Sequence, residues 1–231
     1  MILTAHQPVY LPWLGLFHKI ALADRFVCYD HVARSHYDYT ARNQIRTANG
    51  STTLIVPLRK SKESTQPLKD VRIDTSLPWR KKHWKTIENA YRKAPYYDAY
   101  APFLGRFYEH EWAFVTEMNT ALLSWLLDAL GIPREIESSS ALQIEREKSE
   151  GVLEMSLKLK AKIFIFGALG RDYADVERFR ASGVEPVFQD YRHPTYQQLH
   201  GEFASHLSVI DLLFNCGPQS LAILQADNLS R

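Results

Sequence analysis

Apolar and polar positions over the first thirty residues follow the pattern of a strand, a helix and a second strand. The apolar run at residues 2–5 predicts a buried strand. The spacing over 12–23 predicts a helix with proline in its first turn, and residues 25–29 predict a second strand. The chain is therefore expected to begin with a βαβ unit.

The next two segments predict a hairpin and a group of helices. Two β-type runs within residues 42–58 flank Asn49-Gly50, a dipeptide that strongly favours a hairpin turn. From residue 78 to Gly131 apolar residues recur at helical spacing, and Gly131 stands where glycine ends a helix. We expect one domain over residues 1–231, with a helical insertion at about 78–131.

The last third returns to alternating strands and helices. The segments KIFIF and EPVFQDY predict strands, and residues 172–183 predict a helix that ends at glycine. The expected fold class is α/β, a Rossmann-like and largely parallel sheet with an inserted β-hairpin and a helical middle lobe.

Composition adds mainly exclusions. The net charge is only +2 and charged residues make up 23%, which indicates neither a disordered chain nor a general nucleic-acid binder. Cys28 and Cys216 lie in apolar stretches and cannot build a disulfide framework, which suits a reducing compartment. The most apolar long segment, residues 112–132, is interrupted by polar side chains. We therefore expect a soluble cytoplasmic protein without a membrane span.

Polar residues follow the predicted strands, where ligands bind in open parallel sheets. If the sheet is parallel, these residues line one cleft and supply the groups that proton transfer and anion binding require. The candidates are His6 and Gln7 after the first strand, Asp30 after the second, Gly167, Gly170 and Arg171 after the third, and His193, Tyr196 and Gln198 after the fourth.

Each of these candidates also has a purely structural interpretation. His6 can fix a turn by bonding to neighbouring backbone, and Asp30 can form a turn. The loop 167–170 either offers N–H groups to a phosphate at the start of a helix near residue 172 or is a plain tight turn. His193 precedes a proline, which by itself favours an extended backbone.

Two predicted helices carry further candidates. Ser208, Asp211 and Asn215 form a narrow polar stripe, which favours a cleft wall or a buried hydrogen-bond anchor over a solvated face. Asp211 is therefore a candidate for orienting an imidazole. In the basic run WRKKHWK, His83 shares the inward face with Ile87; the basic side chains are either a solvated face or a contact for a phosphorylated partner.

Common enzyme motifs are absent. The sequence has no zinc-ligand spacing, Walker A loop, nucleophile elbow or dinucleotide fingerprint. No metal and no cofactor are therefore expected.

Several motifs resemble those of the WbqC-like family. The resemblance spans almost the whole chain, and its first and last motifs are specific. It adds Tyr10, Asn43, His83 and Tyr173 to the substrate-binding candidates, together with Asn215. The motifs are HQPVYLPWLGLFHKI, NQIRTANG, HW at 83–84, APYY at 94–97, GRDY at 170–173, and HPTYQQLHGEF followed by LSVIDLLFN.

The resemblance implies a role in bacterial surface-polysaccharide biosynthesis, such as O-antigen assembly, or in modified-sugar biosynthesis. The preferred chemistry is transfer of an acyl or aminoacyl group from an activated donor to a nucleotide sugar. The partners would then be a nucleotide sugar or other phosphorylated small molecule and an acyl or peptidyl carrier protein. His6 or His193 would be the general base, Asp30 or Asp211 its orienting group, and loop 167–171 the phosphate holder.

Two other functions remain open. The first βαβ unit loosely resembles that of nucleotidylyltransferases, whose first strand leads into a histidine-containing loop; this function requires nucleotide binding. A non-catalytic binding protein of a polysaccharide assembly system is the third possibility, and inert titratable residues in a formed cleft would favour it.

Overall fold

The computed structural model describes residues 1–34, 39–60 and 65–228, and all structural statements concern these ranges. The strands are β1 (Ile2–His6), β2 (Arg25–Cys28), β3 (Arg42–Thr47), β4 (Gly50–Ile55), β5 (Ile136–Ser138), β6 (Ile163–Phe166) and β7 (Glu185–Phe188). Five of them form a parallel sheet in the order β5-β2-β1-β6-β7, which confirms the Rossmann-like prediction.

Helices cover both faces of this sheet. They are α1 (Leu14–Leu22), α2 (Trp79–Tyr91), α3 (Tyr97–Glu109), α4 (Val115–Leu130), α5 (Lys148–Lys158), α6 (Val176–Ala181), α7 (Val209–Cys216) and α8 (Ser220–Gln225). Helices α2, α3 and α4 confirm the predicted helical middle. Gly131 follows α4 with a left-handed backbone (φ 72°), as a glycine that ends a helix should.

Two cores result because successive strand side chains point to opposite faces of the sheet. On one face, Val27 of β2 and Phe164 of β6 belong to the same core as residues of α5 and α6. On the other, Phe26 of β2 shares a larger core with Phe17 of α1 and with α2, α3, α4 and α7. No helix in the described ranges has the length and apolarity needed to cross a membrane.

Strands β3 and β4 form the predicted hairpin. Their register pairs Thr47 with Gly50, so Ala48 and Asn49 make the connecting loop. Gly50 has φ 113°, a backbone conformation that side chains disfavour. The hairpin is tied to the C-terminal part of the chain because the Ser208 amide donates to the Gln44 carbonyl over 2.9 Å.

Two predicted helix starts are wrong. Helix α1 begins at Leu14 because Trp13 is extended (ψ 162°), so the proline at position 12 precedes the helix. The helix expected near Asp172 begins at Val176, and residues 168–172 form a separate 3-10 turn. The Asp175 side chain caps α6 by accepting the Arg178 amide, which favours a helix start at this point.

Candidate functional site

The sheet opens at the carboxyl end of β1, between this strand and β6. Pairing of β1 with β2 continues to His6 and Cys28. Pairing of β1 with β6 ends two residues earlier, at Thr4 and Ile165. Because the chain passes from β1 to β2 on one side and places β6 on the other, this is the topological switch point at which such sheets bind ligands. We call it the switch-point crevice, bounded by the segments that follow β1 and β6.

His6 stands at this crevice as the last residue of β1. Its Nδ1 atom lies 2.9 Å from the carbonyl oxygen of Gln7, which can only accept, so Nδ1 carries the proton and Nε2 the lone pair. Burial and the nearby Lys19 ammonium lower the pKa of His6 to about 4. The residue is partly exposed, and its ring packs edge-on to Trp13 at 5.4 Å. Nε2 is therefore an unprotonated nitrogen at neutral pH.

Lys19 was not among the sequence candidates. It lies on α1 and is only 3% exposed. Its Nζ donates to the Ala5 carbonyl over 2.9 Å, and burial lowers the pKa of Lys19 to about 7. Lysines on helices are ordinarily solvated. The rest of α1 is almost entirely apolar, and this composition is the sequence feature that could have indicated a buried lysine.

The segment after β6 forms the other side of the crevice. A Cβ on Gly170 would lie 2.5 Å from the Phe166 Cβ, so the 3-10 turn packs directly on the end of β6. Arg171 is exposed and places its guanidinium 4.9 Å from the centre of the Phe188 ring. Tyr173 is 48% exposed and meets the Phe166 ring edge-on. The helix start predicted here for phosphate binding is displaced to α6, which Asp175 caps.

Asp30 holds the loop that follows β5. Its carboxylate accepts hydrogen bonds from the Ser139 hydroxyl (3.0 Å), the Ser140 amide (2.9 Å) and the Ser140 hydroxyl (2.7 Å). These bonds connect the ends of two neighbouring strands, β2 and β5. The described contacts of Asp30 include no histidine ring, so its arrangement is that of a loop anchor.

Asp211 is a buried hydrogen-bond anchor, one of the two interpretations of its polar stripe. Its side chain accepts from the Tyr91 hydroxyl (2.8 Å), the Tyr196 hydroxyl (2.9 Å) and the Gln198 amide (2.8 Å). Burial raises the pKa of Asp211, while these hydrogen bonds oppose the rise. Asn215 donates to the Asp211 backbone carbonyl over 2.7 Å. The cluster joins α2 and α7 to the segment around Tyr196.

His193 has hydrogen-bond partners at both ring nitrogens. Nδ1 lies 2.8 Å from the Pro194 carbonyl, and Nε2 accepts the His206 amide at 3.2 Å. Burial lowers the pKa of His193. In the described part of the chain, the contacts of His6 leave Nε2 available, whereas those of His193 do not. The geometry favours His6 as the base.

Tyr10, Asn43 and His83 support the loop after β1 from inside the protein. Asn43 donates to the Leu11 carbonyl over 2.6 Å, next to a left-handed backbone at Leu11 (φ 47°). The Tyr10 hydroxyl bonds to His83 Nδ1 over 2.9 Å and also contacts the Tyr108 hydroxyl. Burial lowers the pKa of His83 to about 4. All three candidates are buried, so they shape the loop that follows His6.

A separate cavity of about 550 Å³ lies outside the switch-point crevice. It was not predicted from the sequence. Its lining includes Leu77, Lys81, Trp84, Gly105, Tyr108 and Glu109. Among the described residues, no group of three or more histidine, cysteine, aspartate or glutamate side chains is placed to hold a metal ion.

These features define an α/β protein with a doubly covered parallel sheet and a histidine at its switch point. The sequence profile of the WbqC-like protein family matches residues 7–223, so the chain belongs to that family. It is 29% identical over 216 residues to "Uncharacterized protein Rv1507c" of Mycobacterium tuberculosis, covering 93% of each chain. No solved structure matches the chain. Its function must therefore be argued from the site.

Proposed function

We propose that this protein transfers an acyl or aminoacyl group from an activated donor to an amine or hydroxyl of a nucleotide-linked sugar. The setting would be bacterial surface-polysaccharide or modified-sugar biosynthesis, which membership of the WbqC-like family supports. The observation that carries the chemistry is the unprotonated Nε2 of His6 at the carboxyl end of β1. A neutral imidazole is the usual general base of such reactions.

In the proposed reaction, His6 Nε2 takes the proton of the acceptor as its nitrogen or oxygen attacks the donor carbonyl carbon. The new C–N or C–O bond forms and the C–S bond of a thioester donor breaks. The proton held by His6 then passes to the departing thiolate, which regenerates the neutral imidazole. Gln7 follows His6 directly and would contact the bound acceptor.

Direct attack by the acceptor is favoured over a covalent cysteine intermediate. Both cysteines are buried. Burial raises the pKa of Cys28 to about 12 and that of Cys216 to about 11. Since the thiolate is the nucleophilic form, neither side chain is activated at neutral pH.

Mass spectrometry tests the proposal. The purified protein is incubated with nucleotide-linked amino sugars and with acetyl or glycyl thioesters of pantetheine or a carrier protein. An acylated sugar should form with the native protein and with His110→Ala, an exposed-histidine control. It should be nearly absent with His6→Ala. Product formation that is equal in His6→Ala and the native protein would exclude the proposed mechanism.

A non-catalytic binding protein is the second candidate. Its support is that both candidate orienting carboxylates, Asp30 and Asp211, bond to other groups, so neither orients His6 within the described ranges. The second candidate base, His193, also has structural partners. Tight binding of a nucleotide sugar without turnover of any donor, in the same mass-spectrometric screen, would favour this function.

A further inference from the structure

Lys19 is a buried basic side chain at the switch-point crevice. It forms no ion pair within the described ranges, and its Nζ uses one of its three donor positions on the Ala5 carbonyl. Burying an ammonium without a compensating negative charge is strongly unfavourable. The depressed pKa of Lys19 is the expected consequence. A negatively charged ligand would supply the missing partner.

The position of Lys19 connects this cation to the opening of the sheet. Ala5 lies directly beyond Thr4, the last β1 residue that pairs with β6. The Lys19 ammonium therefore bonds to the stretch of β1 where the crevice begins. It is also close enough to His6 to lower the pKa of that imidazole. Ala5 and His6 are both partly exposed, and Lys19, although only 3% exposed, bonds directly to Ala5, so a ligand at His6 would lie one residue from the carbonyl that Lys19 holds.

A purely structural role for Lys19 does not explain why a charged side chain is buried at this position. Support of the Ala5 carbonyl needs one donor, which an uncharged amide or hydroxyl supplies without the cost of desolvating a charge. The predicted phosphate holder, Arg171, differs from Lys19 in being exposed and stacked over Phe188. Its charge is already solvated and does not require a ligand.

We propose that Lys19 is the anion-binding residue of the switch-point crevice and holds an oxyanion of the substrate next to His6. The ligand class is a phosphoryl or carboxylate group, and for the proposed transferase it would be a phosphoryl oxygen of the nucleotide-linked acceptor. The identity of that anion rests on the proposed function; the presence of an anion site does not. Nothing covalent happens at Lys19, which contributes charge and N–H donors.

Nuclear magnetic resonance of the native protein with 13C-labelled lysine tests this assignment without any substitution. One lysine Cε signal should titrate near pH 7, and pyrophosphate should raise its midpoint by about one pH unit or more because an opposite charge favours the ammonium. Acetate and glycine in parallel titrations distinguish a carboxylate ligand from a phosphoryl ligand. A midpoint that no anion moves would overturn the proposal.

Calorimetric titration with pyrophosphate then identifies the residue. Lys19→Met keeps a side chain of similar length but removes the charge. It should weaken pyrophosphate binding by about tenfold or more, the usual effect of losing a charge-assisted hydrogen bond. The control Lys158→Met changes an exposed lysine on α5 and should bind like the native protein. Loss of binding in Arg171→Ala with full binding in Lys19→Met would move the anion site to the segment after β6.

The two proposals fail in different ways. Pyrophosphate binding that depends on Lys19, in a protein that acylates no sugar, would retain the anion site and exclude the transferase. Acylation that proceeds equally well in Lys19→Met, with unchanged affinity for the sugar nucleotide, would exclude the anion site alone. If Lys19→Met does not fold, the nuclear magnetic resonance titration of the native protein still tests whether an anion binds beside this lysine.

Discussion

The Nδ1 atom of His6 donates to the carbonyl oxygen of Gln7 over 2.9 Å, a contact between sequence neighbours that fixes which ring nitrogen is protonated. A backbone carbonyl thus performs the orienting task that a carboxylate performs in many histidine sites. This contact separates His6 from His193, whose two nitrogens both have backbone partners. In the proposed mechanism, this difference is the reason for assigning the base to His6.

Replacement of His6 by alanine should lower turnover by about a hundredfold or more, the usual contribution of a positioned base. The melting temperature should change little, because the side-chain hydrogen bond that is lost joins adjacent, partly exposed residues at the end of β1, and the backbone pairing of His6 remains. Steady-state kinetics and a thermal melt on the same preparation measure both quantities. A destabilised His6→Ala protein with native turnover per folded molecule would mean that His6 is structural.

The pH dependence of kcat/KM should show the depressed pKa of His6. The base is active in its neutral form, so the acid limb should lie near pH 4, where burial and Lys19 place this pKa, and not near 6.5. The same shift makes the free energy of unfolding depend on pH. Between pH 6.5 and pH 4 the unfolded chain, whose imidazole has its ordinary pKa, binds more protons than the folded protein. The contribution of His6 to stability is therefore fully present above pH 6.5 and is lost as the pH falls through about 4. Circular dichroism at each pH separates unfolding from titration, and an acid limb at 6.5 in a folded protein would contradict the assignment.

The elements that were predicted correctly have local sequence signals. Asn49-Gly50 marks the hairpin, and Gly131 marks the end of α4. β5 was missed because Ile136–Ser138 is too short to show alternation, and its conformation is fixed by pairing with β2, more than one hundred residues earlier. A single strand of three residues carries no pattern of its own.

The roles of the candidate site residues could not be read from the sequence because burial and hydrogen-bond partners are properties of the folded chain. Asp30 looks identical in sequence whether it orients a histidine or anchors a loop, and its partner Ser140 lies 110 positions away. Lys19 was not among the sequence candidates because a lysine on a helix is ordinarily solvated. Only the packing of α1 against the sheet and neighbouring helices makes it a buried cation.

Loss of the Asp211 side chain should destabilise the protein. Asp211→Ala removes the acceptor of Tyr91, Tyr196 and Gln198 at a position that is 0% exposed. Leaving the buried Tyr91 and Tyr196 hydroxyls without this acceptor should lower the free energy of unfolding by about 3 kcal/mol, whereas Gln198 keeps its bond to the Ala204 carbonyl. The exposed Asp190→Ala is the matched control and should change it by less than about 0.5 kcal/mol. Urea denaturation measures both, and equal small effects would show that the cluster contributes little to stability.

Alanine at the two glycines after β6 should have opposite effects, although they lie three residues apart. The new methyl group of Gly170→Ala would meet the Phe166 Cβ at 2.5 Å, so the 3-10 turn must move off the strand end. Such overpacking should cost about 1–3 kcal/mol of unfolding free energy. At Gly167 a Cβ meets nothing within 4 Å and the backbone is ordinary (φ −70°). Gly167→Ala should therefore be neutral or stabilising by up to about 1 kcal/mol, because alanine restricts the unfolded chain. Urea denaturation of the two variants side by side provides the measurement. Equal destabilisation would mean that both positions need the backbone conformations that glycine allows. The expected difference would show that Gly170 is required because a side chain does not fit against Phe166 beside the crevice.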